Sequence, residues 1–144
     1  MMSMFYIPFI LQGGAMFADE FYFHHKRRLP RWEKIGHPLD TITVLICYLF
    51  LLLAPPTETN IFLYSGLALF SCLFVTKDEF VHAKECSPGE HWLHAILFIL
   101  HPIILGFAGW LWFHQIEKNF LLGQCILTGV FLIYQIIYWS RSHE

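Results

Sequence analysis

The chain has 144 residues, 56% of them hydrophobic and only 14% charged, with a formal net charge of −2 and a pI near 6.5. Soluble domains carry about 25% charged residues, so a soluble globular domain is excluded, and aromatic and aliphatic residues fill almost every segment, which excludes disorder. The length leaves no room for a large two-domain enzyme, and the charge does not fit a strongly basic nucleic-acid binder. What remains is a small multi-pass membrane protein, a single integral membrane domain over 1–144, with a mean hydropathy of +0.52.

Five apolar segments follow one another: Met1 to Ala18, Leu39 to Ala54, Ile61 to Thr76, Trp92 to Phe113 and Phe120 to Trp139. A helix needs ~20 residues to cross ~30 Å of hydrocarbon. The second and third segments reach that length only with their flanks. The reading is an all-α transmembrane bundle of five spans, with four as the smaller count. The first segment has no basic leader and runs straight into Asp19 and Glu20, so it reads as a retained span and not a signal peptide. Its Gly13-Gly14 pair reads as a point of close helix packing.

Five spans place Lys26, Arg27, Arg28, Arg31, Lys34, Lys77, Lys84 and Arg141 on one side and Lys118 on the other. The positive-inside rule makes the first side cytoplasmic and puts the N-terminus outside, as in a bacterial inner membrane. The cations need only the bilayer as partner; nucleic acid is not expected. Trp110, Trp112 and Trp139 read as interfacial belts.

The two connections on the cationic side hold His24, His25, His37, His82, His91 and His94, together with Asp19, Glu20, Glu33, Asp40, Asp78, Glu79, Glu85 and Glu90. Histidine with carboxylate, repeated and concentrated, is the composition of a metal site. A repeat runs through it. Asp19-Glu20-Phe21 and Asp78-Glu79-Phe80 each close a span, and a histidine follows, His24 or His82. A proline comes next, Pro30 or Pro88, and then His37-Pro38-Leu39-Asp40 or His91-Trp92-Leu93-His94 opens the following span. The halves are about 1–54 and 61–113, two like-oriented hairpins, with a fifth helix at about 120–139.

Helical spacing pairs Glu20 with His24 and Glu79 with His82. It likewise pairs His37 with Asp40 and His91 with His94, each pair within one turn of one face. These eight are the candidate ligands, enough for two octahedral ions. Glu-x-x-His is the ligand unit of carboxylate-bridged di-iron bundles. His25 competes with His24. Asp19 and Asp78 are alternative ligands or hydrogen-bond partners of ligating imidazoles. Glu85 lies nearby, and Glu33 and Glu90 stand four residues before His37 and His94. Cys86, beside His82 and Glu85, is a further ligand candidate; the other three cysteines lie in apolar segments and read as buried thiols. The competing reading is a hydrogen-bonded network that ties helix ends together without metal.

His101 lies two turns deeper than His94. An ionisable side chain in the bilayer is by default functional, here as a proton relay or substrate contact. It has no second histidine at its depth to make a bis-histidine haem. His114 and His143 read as interfacial. No G-x-S-x-G, Walker A or G-x-G-x-x-G motif is present.

In layout the chain resembles the membrane fatty-acid desaturases and the alkane and sterol hydroxylases, where histidine clusters at the cytosolic helix ends hold two irons beside a lipid-facing pocket. Their H-x-x-H-H boxes do not occur here, and carboxylates are more prominent. The expectation is two metal ions, iron first and zinc second, in an oxidoreductase for a lipid-soluble substrate such as an acyl chain, quinone or isoprenoid, with an electron donor as partner. A zinc hydrolase using Glu33 or Glu90 as base, and a metal carrier or assembly protein, are the other two readings.

Overall fold

The computed structural model describes residues 5–27 and 29–141, apart from the side chains of Arg27 and Asp78; His143 lies outside it. Every regular element described is helical. α1 (Ile7–Ala18) passes without a break into a π-helix over Asp19–His24 and then into α2 (His25–Arg27). α3 (Arg31–Leu53), α4 (Glu58–Phe74), a 3₁₀ turn (Val75–Asp78), α5 (Glu79–Glu85), α6 (Pro88–Phe113) and α7 (Lys118–Arg141) follow. The starts follow from local chemistry. Ser87 and Glu90 close a capping box on α6, Thr57 accepts the Asn60 N–H at the start of α4, and Pro8 sets the first turn of α1.

Among the described residues, four helical stretches are long and apolar enough to cross a membrane: Arg31–Leu53, Glu58–Glu85, Pro88–Phe113 and Lys118–Arg141. These are the dimensions of an integral membrane protein. The expected fifth span is not among them. The helix of the first segment runs on through Asp19–His24 to Arg27, and the polar residues it takes in lower its hydropathy. Asp19 and Glu20 then turn into the protein, both buried. Large apolar side chains cover the outside, Phe62, Leu53 and Trp92 among the most exposed, as expected where lipid is the solvent.

α1 packs on α6, α3 on α4, and α7 mainly on α3. The apolar core gathers Cys47, Tyr48, Leu51, Tyr64, Leu105, Ala108, Leu111 and Trp112. Gly109 permits its closest approach: a Cβ there would sit 2.6 Å from the Tyr64 ring. That ring lies across α6 and donates its hydroxyl to the Leu105 carbonyl at 2.6 Å. Two of the three expected belt tryptophans turn inward. Trp112 donates to the Ala54 carbonyl (2.8 Å) and Trp139 to Glu20 (2.7 Å), and both are buried. A buried indole needs an acceptor, and these two have found one inside. Gly13 and Gly14 are not a packing point, since a Cβ at either would meet nothing within 4 Å.

Candidate metal centre

The π-helix builds the first side of the site. Its wider turn brings residues five apart onto one face. His24 Nε2 therefore lies 3.2 Å from Asp19 Oδ2, while its Nδ1 lies 3.6 Å from Glu20 Oε2. α3 and α6 supply the next two walls in the same register. With Pro30 and Ser87 as N-caps, Glu33 and Glu90 both fall at the third helical position, and His37 and His94 four residues on. α5 contributes His82.

The four imidazoles close into a ring. Centroid distances are 4.5 Å for His24–His37, 6.2 Å for His37–His82, 4.2 Å for His82–His94 and 6.4 Å for His94–His24. Two tight pairs therefore face each other across two wider gaps. Carboxylates sit between them. Asp19 Oδ1 accepts from His94 Nε2 at 3.0 Å, Glu33 Oε2 lies 3.7 Å from His37 Nε2, and Glu33 and Glu90 are completely buried. Among the described residues, three groups bring one ligand atom each to within 4.8 Å of the others: His24, Glu33 and His37; His82, Cys86 and His94; and Asp19, His24, Glu90 and His94. The third group shares His24 with the first and His94 with the second, so the three form one connected cluster.

Glu20 is clamped from α7. Trp139 donates to its Oε1 at 2.7 Å and Gln135 to its Oε2 at 3.3 Å, with Thr41 of α3 donating to Gln135 at 2.7 Å. That makes Glu20 a carboxylate that orients His24. Burial works against the His24 cation, but hydrogen bonds and charge from Asp19 and Glu20 outweigh it and raise the imidazole from its usual 6.5 to about 9. Burial likewise opposes ionisation of Asp19 and Glu20, and their histidine partners hold both below the usual carboxylate range.

The donor set is one that could hold a metal. His37 Nε2 and His94 Nδ1 are buried without an aligned hydrogen bond, while His24 faces its two carboxylates at 3.2 and 3.6 Å. An orphaned buried polar atom costs about 1–3 kcal/mol. Coordination of the imidazole lone pairs removes that cost, and carboxylates on the far side are the partners ligating histidines usually have.

Of the eight candidate ligands, His24, His37, His82 and His94 form the ring. Glu20 touches it from behind. Asp40 instead takes Lys77 Nζ at 2.7 Å on both oxygens, and His91 is half-buried outside the cluster. Glu79 is half exposed (52%), 3.9 Å from His82 Nδ1. Of the alternatives, Asp19, Glu33 and Glu90 lie inside and Glu85 is exposed. His25 turns outward, stacked on Tyr138 and 3.0 Å from the Tyr134 hydroxyl. The shared register of α3 and α6 is Glu-x-x-x-His, which was legible as Glu33/His37 and Glu90/His94. The competing His-x-x-Asp/His match puts His91 where His37 stands.

The ring opens onto a cavity of about 780 Å³ bounded by α1, α3, α6 and α7. Beyond the ring its walls are mostly apolar, among them Phe9, Val44, Leu97, Phe98, Ile104 and Phe131. The fold and site together define an integral membrane helical bundle with a buried histidine–carboxylate cluster able to hold metal. Comparison with family models, curated proteins and solved structures gives no match.

Proposed function

We propose that the chain is a membrane-embedded di-metal oxidoreductase, with iron as the metal, acting on a substrate dissolved in the bilayer. The observation that carries this reading is the position of the imidazole ring, buried with its carboxylates at the polar end of a large apolar cavity. His24, Glu33 and His37 would hold one ion, and His82, His94 and Glu90 the other, with Asp19 between them. Mixed imidazole and carboxylate donors suit non-haem iron, whose chemistry there is oxygen activation and electron transfer. The cavity excludes water and holds the apolar substrate against the ring. The clamp on Glu20 keeps His24 in place. The cationic flanks favour the cytoplasmic face for this end.

The test is elemental analysis of protein purified in detergent without a histidine tag or chelator. About two irons per chain, with a magnetically coupled spectrum, is the expected result. No metal after anaerobic reconstitution with iron and with zinc overturns the reading. Zinc hydrolysis is the second reading, favoured by Cys86 beside His82 and His94, since thiolate draws zinc; two colourless zincs would select it.

A further inference from the structure

The cavity carries a second polar station, deeper than the ring. Contacts along α1 fix the relative depth of three helices. Phe9 of α1 meets Phe120 of α7 (4.9 Å between centroids), and Glu20 meets Gln135. Counting residues between those two levels puts Gln124 at about the height of Gln12. On α6, Phe107 meets Phe5 (5.4 Å) and His94 meets Asp19. The same count midway between those levels puts His101 at about the height of Gln12. All three side chains line the cavity. Gln12 is seven residues from Asp19, and His101 seven from the ring member His94, roughly 10 Å along the helices.

Gln12 marks this station as a binding place. It is only 6% exposed, and its Oε1 has no hydrogen-bond partner. An amide oxygen left bare among apolar side chains calls for a donor. His101 is held by Ser71, which bonds its Nε2 at 3.0 Å and Thr43 Oγ1 at 2.8 Å.

A side window leads to it. α1 and α7 close on each other at two levels, through Phe9 and Phe120 and through Glu20, Gln135 and Trp139. Between these levels the cavity wall includes Ile10, Phe17 and Leu127, which are 70%, 64% and 61% exposed. Gly13 and Gly14 line the same stretch with open space over them. A window at this depth faces lipid.

We propose that the station binds the head of a membrane quinol, and its oxidised quinone, with the apolar tail leaving between α1 and α7. A charged or zwitterionic head is too costly to bring to this depth. A sterol or fatty alcohol offers one polar atom, whereas polar side chains from three helices line the cavity here. A quinol offers hydroxyls on opposite edges of a flat ring, one to donate to Gln12 Oε1 and the other toward His101 or Gln124. The volume of about 780 Å³ lies within the ~300–1,000 Å³ typical of a site for one small ligand. The inference names the lipid-soluble substrate of the di-metal reading and rests on it for its role, while binding itself does not require the metal.

The experiment titrates a decyl-tailed benzoquinol, under argon, into the metal-loaded protein in lipid nanodiscs, following tryptophan fluorescence, with metal content measured on the same samples. Saturable quenching is expected in the wild type, with the Kd raised at least tenfold in Gln12→Leu and metal content unchanged. Gly13→Phe, which fills the window, should weaken binding as well. An unchanged Kd in folded Gln12→Leu overturns the assignment, as does decanol binding as tightly as the quinol. If Gln12→Leu does not fold, Gln124→Leu is read by the same criterion. Metal without quinol binding removes this inference alone; quinol binding without metal supports it and removes the di-metal reading.

Discussion

The two sides of the imidazole ring are built from the same pieces and finished differently. On one side, the Asp19-Glu20 segment with α3 offers His24, His37 and Glu33. On the other, α5 with α6 offers His82, His94 and Glu90. The tight pairs match closely, at 4.5 Å and 4.2 Å. The carboxylates that follow each Asp do not. Glu20 is buried and accepts from Trp139 and Gln135, while Glu79 is half exposed. The cause is α7, whose polar contacts fall on the first side and leave the second open, with Cys86 nearby. One motif thus yields a caged half and an accessible half.

The largest effect that tests this comparison is loss of a shared ligand. His24→Ala or His94→Ala, each a member of two ligand groups, should drop bound metal from about two per chain to fewer than one, because a vacated position in a joined site disturbs both ions. Elemental analysis with circular dichroism as a folding check decides it; full retention by both variants would reject the ring as the site. Glu33→Gln and Glu90→Gln, the equivalent carboxylates, should each remove about one ion, and unequal losses would show the halves to differ in their ligands as well as their walls.

The next effect is on the cage. Trp139→Phe takes away a donor to Glu20 and should weaken metal affinity by about 10–100-fold, as losses behind a ligand do, measured by competition with a chelator. Metal affinity should also rise with pH. Below about 9 His24 is protonated, so metal must displace a proton, and affinity grows by up to tenfold per unit through neutrality before flattening. Titrations at pH 6, 7 and 8 read the slope. The smallest effects belong to the outward groups. Glu79→Ala and His25→Ala should change affinity by no more than about twofold, and a large loss in either would contradict the placement of those side chains.

Much of the helical membrane fold was legible, because long apolar runs have few alternatives. The first segment is helical as read but is not among the four candidate spans of the described residues, since its helix takes in Asp19, Glu20 and His24, which fold inward on a π-turn. That turn also hid a contact: α-helical spacing links Glu20 to His24, whereas Asp19 reaches His24 five residues on. Asp40 fitted the spacing rule, but Lys77 of the next hairpin takes it, a partner that no local pattern reveals. The glycine pair looked like packing and instead lines open space, which only the positions of α6 and α7 decide. Gln12 carried no signal in its spacing; its meaning is that of a polar atom without a partner.

The clamp on Glu20 has a consequence for biosynthesis. Its donors lie 115 and 119 residues downstream. At about 5–20 residues per second of synthesis, the carboxylate waits roughly 6–24 seconds for them after it is made. Until α7 is inserted, the caged half lacks its back wall, whereas the ring histidines already exist. On the di-metal reading proposed above, metal capture is thereby tied to completion of the bundle, and a nascent chain stalled before α7 would hold its first ion loosely enough for a cellular chelator to take it back.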